Sequence, residues 1–240
     1  MKRATWLFSA MVAAFAALPA NAALISIFGN NSPANIATFL NNNGHTATAF
    51  GAVTAGNLAG QNVAILLRGA AANADLDNFV QSGGLVITEW DAADSLVNSA
   101  FDYFGAQISG GGFIGTATPI TVTAAGIAAG LDMGLANPWA DGPRTEFART
   151  FSSVGTAQVL ATRGANIPVV IGGGIGAGFA IINGLDWGDS FGSGAHNSGQ
   201  FLLNMVSVGA APQPVPEPGT LALLGLGLGV IGGLRRRKAA

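Results

Sequence analysis

The chain is 240 residues long, half of them hydrophobic and only 9% charged, and it contains no cysteine. Without a thiol there is no disulfide framework, no cysteine nucleophile, no Cys-ligated metal and no redox pair, and a body of this size buries enough apolar surface to fold without cross-links. Lys2, Arg3 and Arg235 to Lys238 hold six of the ten basic residues, so residues 23–212 carry four arginines, no lysine and eleven acids, a formal charge of −7 that sets the surface against nucleic acid.

Lys2-Arg3, the apolar run Trp6 to Leu18 and the small-x-small site Ala20-Asn21-Ala22 read as a signal peptide over residues 1–22, cut by signal peptidase after Ala22. Leu24 to Phe28 then forms a strand ending at Gly29. Ser32 is expected to cap, and Pro33 to open, a helix through Asn42 with Ile36, Phe39 and Leu40 on its apolar face. Thr46 to Phe50 and Val63 to Leu67 read as strands, the second fully buried. Asn73 caps a helix with Leu76, Phe79 and Val80 inward, stopped by Gly83-Gly84. Leu85 to Thr88 is the fourth strand, and Asp94 is expected to cap a helix lined by Leu96, Val97, Ala100, Phe101 and Phe104. This alternation implies βαβ crossovers and a mainly parallel sheet.

The second half is richer in strand signals. Gly110 to Ala124 and Ala157 to Ala161 suit strands, separated by a Gly/Ala/Pro loop from Gly126 to Pro143. Val169 to Ile171 and Phe179 to Ile182 flank the glycine run 172–178 as a β-hairpin. A nucleotide loop would need a helix there to hold the pyrophosphate, and a strand follows instead. A closing helix runs from Asn197 to Val206. The α/β domain spans 23–208, a Pro-rich linker 209–219, an apolar helix 220–234 and a basic cytoplasmic tail 235–240.

That apolar helix covers roughly 22 Å, short of the roughly 30 Å hydrocarbon core, so it is a marginal membrane span that Arg235 and its neighbours extend by snorkelling. Positive charge at both ends places the body on the far side of the inner membrane. Val215-Pro216-Glu217-Pro218, the apolar run and Arg235-Arg236-Arg237-Lys238 together resemble the tail of PEP-CTERM proteins. The resemblance implies a Gram-negative exported protein, held transiently at the inner membrane, cut by an exosortase near Pro-Glu-Pro and delivered to the cell surface or medium. The alternative for the tail is an ordinary single-span anchor.

The body resembles the class I glutamine amidotransferase-like group, including its ThuA-like relatives. The matching stretches are Gln61 to Gly69, Leu76 to Gln81 into Gly83-Gly84-Leu85-Val86-Ile87, Pro168-Val169-Val170 with the glycine hairpin, and Asn197 leading into Phe201-Leu202-Leu203-Asn204. It implies a flavodoxin-like three-layer sandwich with a mainly parallel sheet and a strand-rich second half. Where that group carries its cysteine nucleophile this chain has Glu89-Trp90-Asp91, so the cysteine-dependent reaction is not available.

Two clusters are candidates for a site. Glu89 and Asp91 follow the carboxyl end of a parallel strand, where open α/β sheets bind ligands, and two carboxylates there can share a cation or divide into acid and base. The plainer alternative has Asp91 or Asp94 capping the next helix and Glu89 solvated. Asp186, Trp187, Asp189 and His196 form the second cluster, in a loop whose oxygen ligands suit Ca²⁺ and whose Trp187 could stack on a sugar ring; the plainer alternative is loop composition alone. The amidotransferase-like fold implies that the two clusters meet. His45 reads as a turn residue, and Arg144, Glu146 and Arg149 as an ion-paired surface turn. Two functions follow: a non-catalytic domain binding polysaccharide or another protein of the biofilm matrix, or a hydrolase or lyase using Glu89, Asp91, Asp189 and His196 with or without a divalent cation.

Overall fold

A computed structural model describes residues 22–113, 118–141, 147–164, 166–192 and 197–210. Residues 1–21 of the signal peptide, the Val215-Pro216-Glu217-Pro218 motif, the apolar segment 220–234, the basic tail, Arg144, Glu146 and His196 lie outside them.

The first half alternates as its hydrophobic runs require: β1 (Leu24–Phe28), α1 (Pro33–Asn42), β2 (Thr46–Phe50), α2 (Ala55–Leu58), β3 (Val63–Leu66), α3 (Ala74–Gln81) and β4 (Leu85–Thr88). A 3₁₀ turn over Trp90–Ala93 and the single-turn α4 (Asp94–Val97) follow, then β5 (Gln107–Phe113), β6 (Ile120–Val122), α5 (Ala124–Ala128), β7 (Phe147–Ser153), β8 (Gln158–Arg163), β9 (Ile167–Ile175), β10 (Gly178–Asn183) and α6 (Asn197–Ala210). Eight strands form one sheet in the order β2-β1-β3-β4-β10-β9-β8-β6, while β5 and β7 pair separately. From β2 to β10 the neighbours are parallel, and from β10 to β6 antiparallel.

Alternate residues of the central strands face opposite ways, and both faces are covered. Ile25, Ile27, Val63, Ile65, Leu85 and Ile87 pack under α1 and α6, where Ile36, Leu40, Phe201 and Met205 meet them. Ala64, Leu66 and Val86 pack on the other face with Leu76 and Val80 of α3 and Leu96 of α4. That is the three-layer sandwich implied by the resemblance.

Two caps behave differently from expectation. Asn73 does cap α3, its side chain accepting from the Leu76 N–H at 3.1 Å. Ser32 sits at φ 56° and makes no side-chain cap bond, so Pro33 opens α1 by its fixed φ alone. Asp94 does not cap either: Ala93 precedes α4, and the Asp94 carboxylate turns to Arg149 at 2.9 Å. The expected helix through Phe104 stops at Val97, where Asn98 (φ −95°, ψ 36°) leaves helical backbone; further on, Asp102 (φ 41°) and Phe104 (φ 68°) turn the chain around Tyr103, which is buried and donates its hydroxyl to Asp77 at 2.9 Å. The run Gly110 to Ala124 splits between β5 and β6 of different sheets, and β7 has no counterpart among the expected strands.

The glycine run forms the expected hairpin, turning at Gly176 (φ 59°) between β9 and β10. Its last glycine has a packing reason. A Cβ at Gly178 would run into the carbonyl oxygens of Val80 and Gly84, so only glycine lets β10 lie this close to the end of α3.

The closing helix α6 is capped from far along the chain: Asp141 Oδ1 accepts from the Asn197 N–H at 2.8 Å and Oδ2 from the Ser198 N–H at 2.5 Å. Asp141→Ala removes both bonds and is expected to cost about 1–2 kcal/mol, read as a lower urea midpoint with unchanged m. An unshifted midpoint would show the cap to be idle.

Candidate functional site

The carboxyl ends of β1, β3, β4 and β10 converge on one polar cluster. Glu89, the residue after β4, is fully buried. Its Oε2 accepts from the Arg68 N–H at 2.9 Å, and its Oε1 from Asn31 Nδ2 at 3.1 Å. The Arg68 guanidinium donates to Asp186 Oδ1 at 2.6 Å and lies 3.7 Å from Asp189 and 3.9 Å from Glu89. Arg68 also stacks over Trp90, 4.4 Å from the ring centroid. Trp90 takes φ 44°, an uncommon backbone for a bulky residue, at the turn where the amidotransferase-like group carries its nucleophile.

Burial dominates the electrostatics. It raises the Glu89 carboxyl to about 9, a shift the hydrogen bond and charge of Asp186 reinforce and the bonds from Arg68 and Asn31 only oppose. Burial also raises Asp186, against the pull of Arg68. At neutral pH Glu89 therefore keeps its proton and donates it to the Asp186 carboxylate, whose charge Arg68 balances.

The two sequence clusters do meet, through Glu89, Asp186 and Asp189. Asp189 stands at the rim with half its side chain exposed. Glu89 is not solvated as the plainer alternative had it; it is the innermost group of the cluster. Asp91 does not join it. Its Oδ1 is buried without a hydrogen-bond partner among the described residues, and it adds to the rise of the Asp94 carboxyl, which burial raises first of all. Trp187 is fully buried, with Nε1 donating to the Thr88 carbonyl at 3.2 Å and its ring edge-on to Phe191, so no face is open for a sugar to stack on. His45 stands before β2, its Nδ1 accepting from the Ala23 N–H at 3.2 Å.

Among the described residues no three Asp, Glu or His side chains are grouped to hold a metal ion. In the cluster, the guanidinium of Arg68 occupies the place between carboxylates that the Ca²⁺ expectation gave to a cation. Arg68 and Asn31 were missing from the candidate residues. The available signal was positional: Arg68 is one of four arginines in the body and stands two residues past a buried strand, and Asn31 sits in the polar loop after β1.

Outside the described residues, the tail decides the broader question. Residues 214–238 match the PEP-CTERM protein-sorting motif. The motif supports processing by an exosortase and export toward the cell surface. Among the described residues no helix is long and apolar enough to cross a membrane. No curated protein matches the chain.

Three solved structures resemble the body that the PEP-CTERM tail carries. A cytoplasmic protein from Salmonella typhimurium matches with a TM-score of 0.58 at 9% identity, over 77% of this chain and 97% of its own. A putative GMP synthase component from Thermoplasma acidophilum matches at 0.54 and 11% identity, over 82% and 99%. PurLQS from Thermotoga maritima matches at 0.53 and 12% identity, over 77% and 98%. At these identities the likeness is one of fold, a mixed α/β sandwich with a mainly parallel sheet.

Proposed function

We propose that the exported body is a non-catalytic binding or structural domain acting in the extracellular polysaccharide or biofilm matrix. The observation that carries this reading is Glu89. Of Glu89-Trp90-Asp91, the stretch that stands where the amidotransferase-like group carries its nucleophile, the first carboxyl is fully buried, with its oxygens occupied by Arg68, Asn31 and Asp186. Such a group ties four strand ends together and has no face from which to attack a substrate. The lysine-free acidic surface and the PEP-CTERM motif support a role outside the cell.

The exported protein is expected to be retained on exopolysaccharide in a pull-down; no retention on any polysaccharide tested would overturn the proposal. The competing hydrolase or lyase, drawing on Glu89, Asp91, Asp189 and His196, is separated by a turnover screen with and without chelator. Turnover that Glu89→Gln or His196→Ala abolishes would replace the binding function with the enzymatic one.

A further inference from the structure

The chain leaves β1 through α1 towards β2 and leaves β3 through α3 towards β4, and these two helices lie on opposite faces of the sheet. The two connections diverge between neighbouring strands, so a crevice opens at their carboxyl ends, the general location for ligands in open α/β sheets. The structure has a cleft of about 280 Å³ at that point, lined by Gly29 and Asn30 after β1, Gly51 and Val53 after β2, and Gly69 and Asn73 around the start of α3. It is separate from the Glu89 cluster, with Asn31 and Arg68 turned the other way.

The lining is mostly glycine and alanine. Gly29 (φ 106°) and Gly69 (φ 77°) bring the two loops together: a Cβ at Gly29 would stand 2.6 Å from the Leu67 carbonyl oxygen, and one at Gly69 2.9 Å from Asn30 Nδ2. The Asn30 N–H donates to the Arg68 carbonyl at 2.9 Å and locks this contact. No charged side chain lines the cleft. Asn73 is already spent, its Nδ2 on the Val53 carbonyl and its Oδ1 on the Leu76 N–H. The Asn30 amide is exposed and has no hydrogen-bond partner among the described residues, which leaves its NH₂ to donate and its carbonyl oxygen to accept from a visitor.

An anion finds little there. The first turn of α3, which would offer it positive potential, holds Asp75 and Asp77, and Asp75 also accepts from the Ala55 N–H at 2.9 Å. A hydroxyl both donates and accepts and carries no charge. The volume lies just under the roughly 300–1,000 Å³ of clefts for drug-sized ligands, room for about one sugar ring.

We propose that this cleft is the carbohydrate subsite of the domain and takes one unit of a neutral, hydroxyl-rich glycan in preference to an acidic one. The assignment rests on the matrix-binding function proposed above and adds its place and its ligand class. Gly51 provides the test. Its backbone lies outside the left-handed region and a Cβ there meets nothing within 4 Å, so a large side chain enters open space without straining the fold.

Affinity electrophoresis of the full chain in detergent is run through gels containing dextran, galactomannan or xylan, and separately through alginate, a polyuronate. Retardation by at least one neutral polysaccharide is expected, with Gly51→Trp and Asn30→Ala each weakening it by about tenfold or more while the melting temperature holds. Neutral binding that both variants keep would overturn the cleft assignment and leave the matrix function standing. Retardation by alginate alone would overturn the ligand class, again without touching that function. No retardation by any polysaccharide would remove both.

Discussion

Stability of this protein falls as pH rises from about 4.5 towards about 9, and Glu89→Gln flattens that slope. Glu89 titrates near 4.5 when unfolded and near 9 in the fold, so between these values the folded chain holds a proton that the unfolded chain has released. The contribution is fully present below the unfolded value and is lost as pH climbs through the folded one. One linked proton gives a slope of about 1.4 kcal/mol per pH unit, or about 4 kcal/mol over three units. Asp186 is shifted in the same direction and steepens the acidic end of the window. Glutamine keeps the volume and has nothing to titrate; its NH₂ can donate towards Asp186 but gives up one of the two bonds that Glu89 accepts from Arg68 and Asn31, a pH-independent loss. Urea midpoints taken across this range would decide the matter, and a flat profile for the unsubstituted protein would mean that Glu89 is ionised after all.

The second large effect is expected at Trp187. Its ring is fully buried between the sheet and Phe191, and its N–H is engaged by the Thr88 carbonyl. Trp187→Ala is therefore expected to cost about 3–5 kcal/mol, lowering the melting temperature by on the order of 10 °C, whereas Trp187→Phe loses less because much of the space stays filled. Polysaccharide retention of the alanine variant, measured below its melting point, should match the unsubstituted protein. Lost retention with an unchanged melting temperature would instead return Trp187 to the sugar-stacking role its sequence context suggested.

Both results turn on residues whose surroundings are remote in sequence. Arg68 and Asp186 are 118 positions apart, and Asp141 reaches Ser198 across 57. Ser32 and Asp94 look like caps in their local sequence, yet Ser32 lies in left-handed backbone and Asp94 is claimed by Arg149 from β7. Asn73 looks the same and does cap, since nothing distant competes for its oxygen.

From the sequence alone came the buried strands β1, β3 and β4, the helices α1, α3 and α6, the glycine hairpin, the charge of the body and the sorting tail that begins at Val215, which the family match over residues 214–238 bears out. These are written in hydrophobic period, in glycine placement and in the order of residues along a short tail, all local properties of the chain. The tertiary structure alone decided that Glu89 is enclosed and protonated, that Trp187 is core, that Asp91 stands apart, and that the loops after β1, β2 and β3 leave a cleft between them. Burial and cross-strand partnership belong to the folded sheet, and they set whether a carboxyl keeps its proton or an aromatic ring meets solvent.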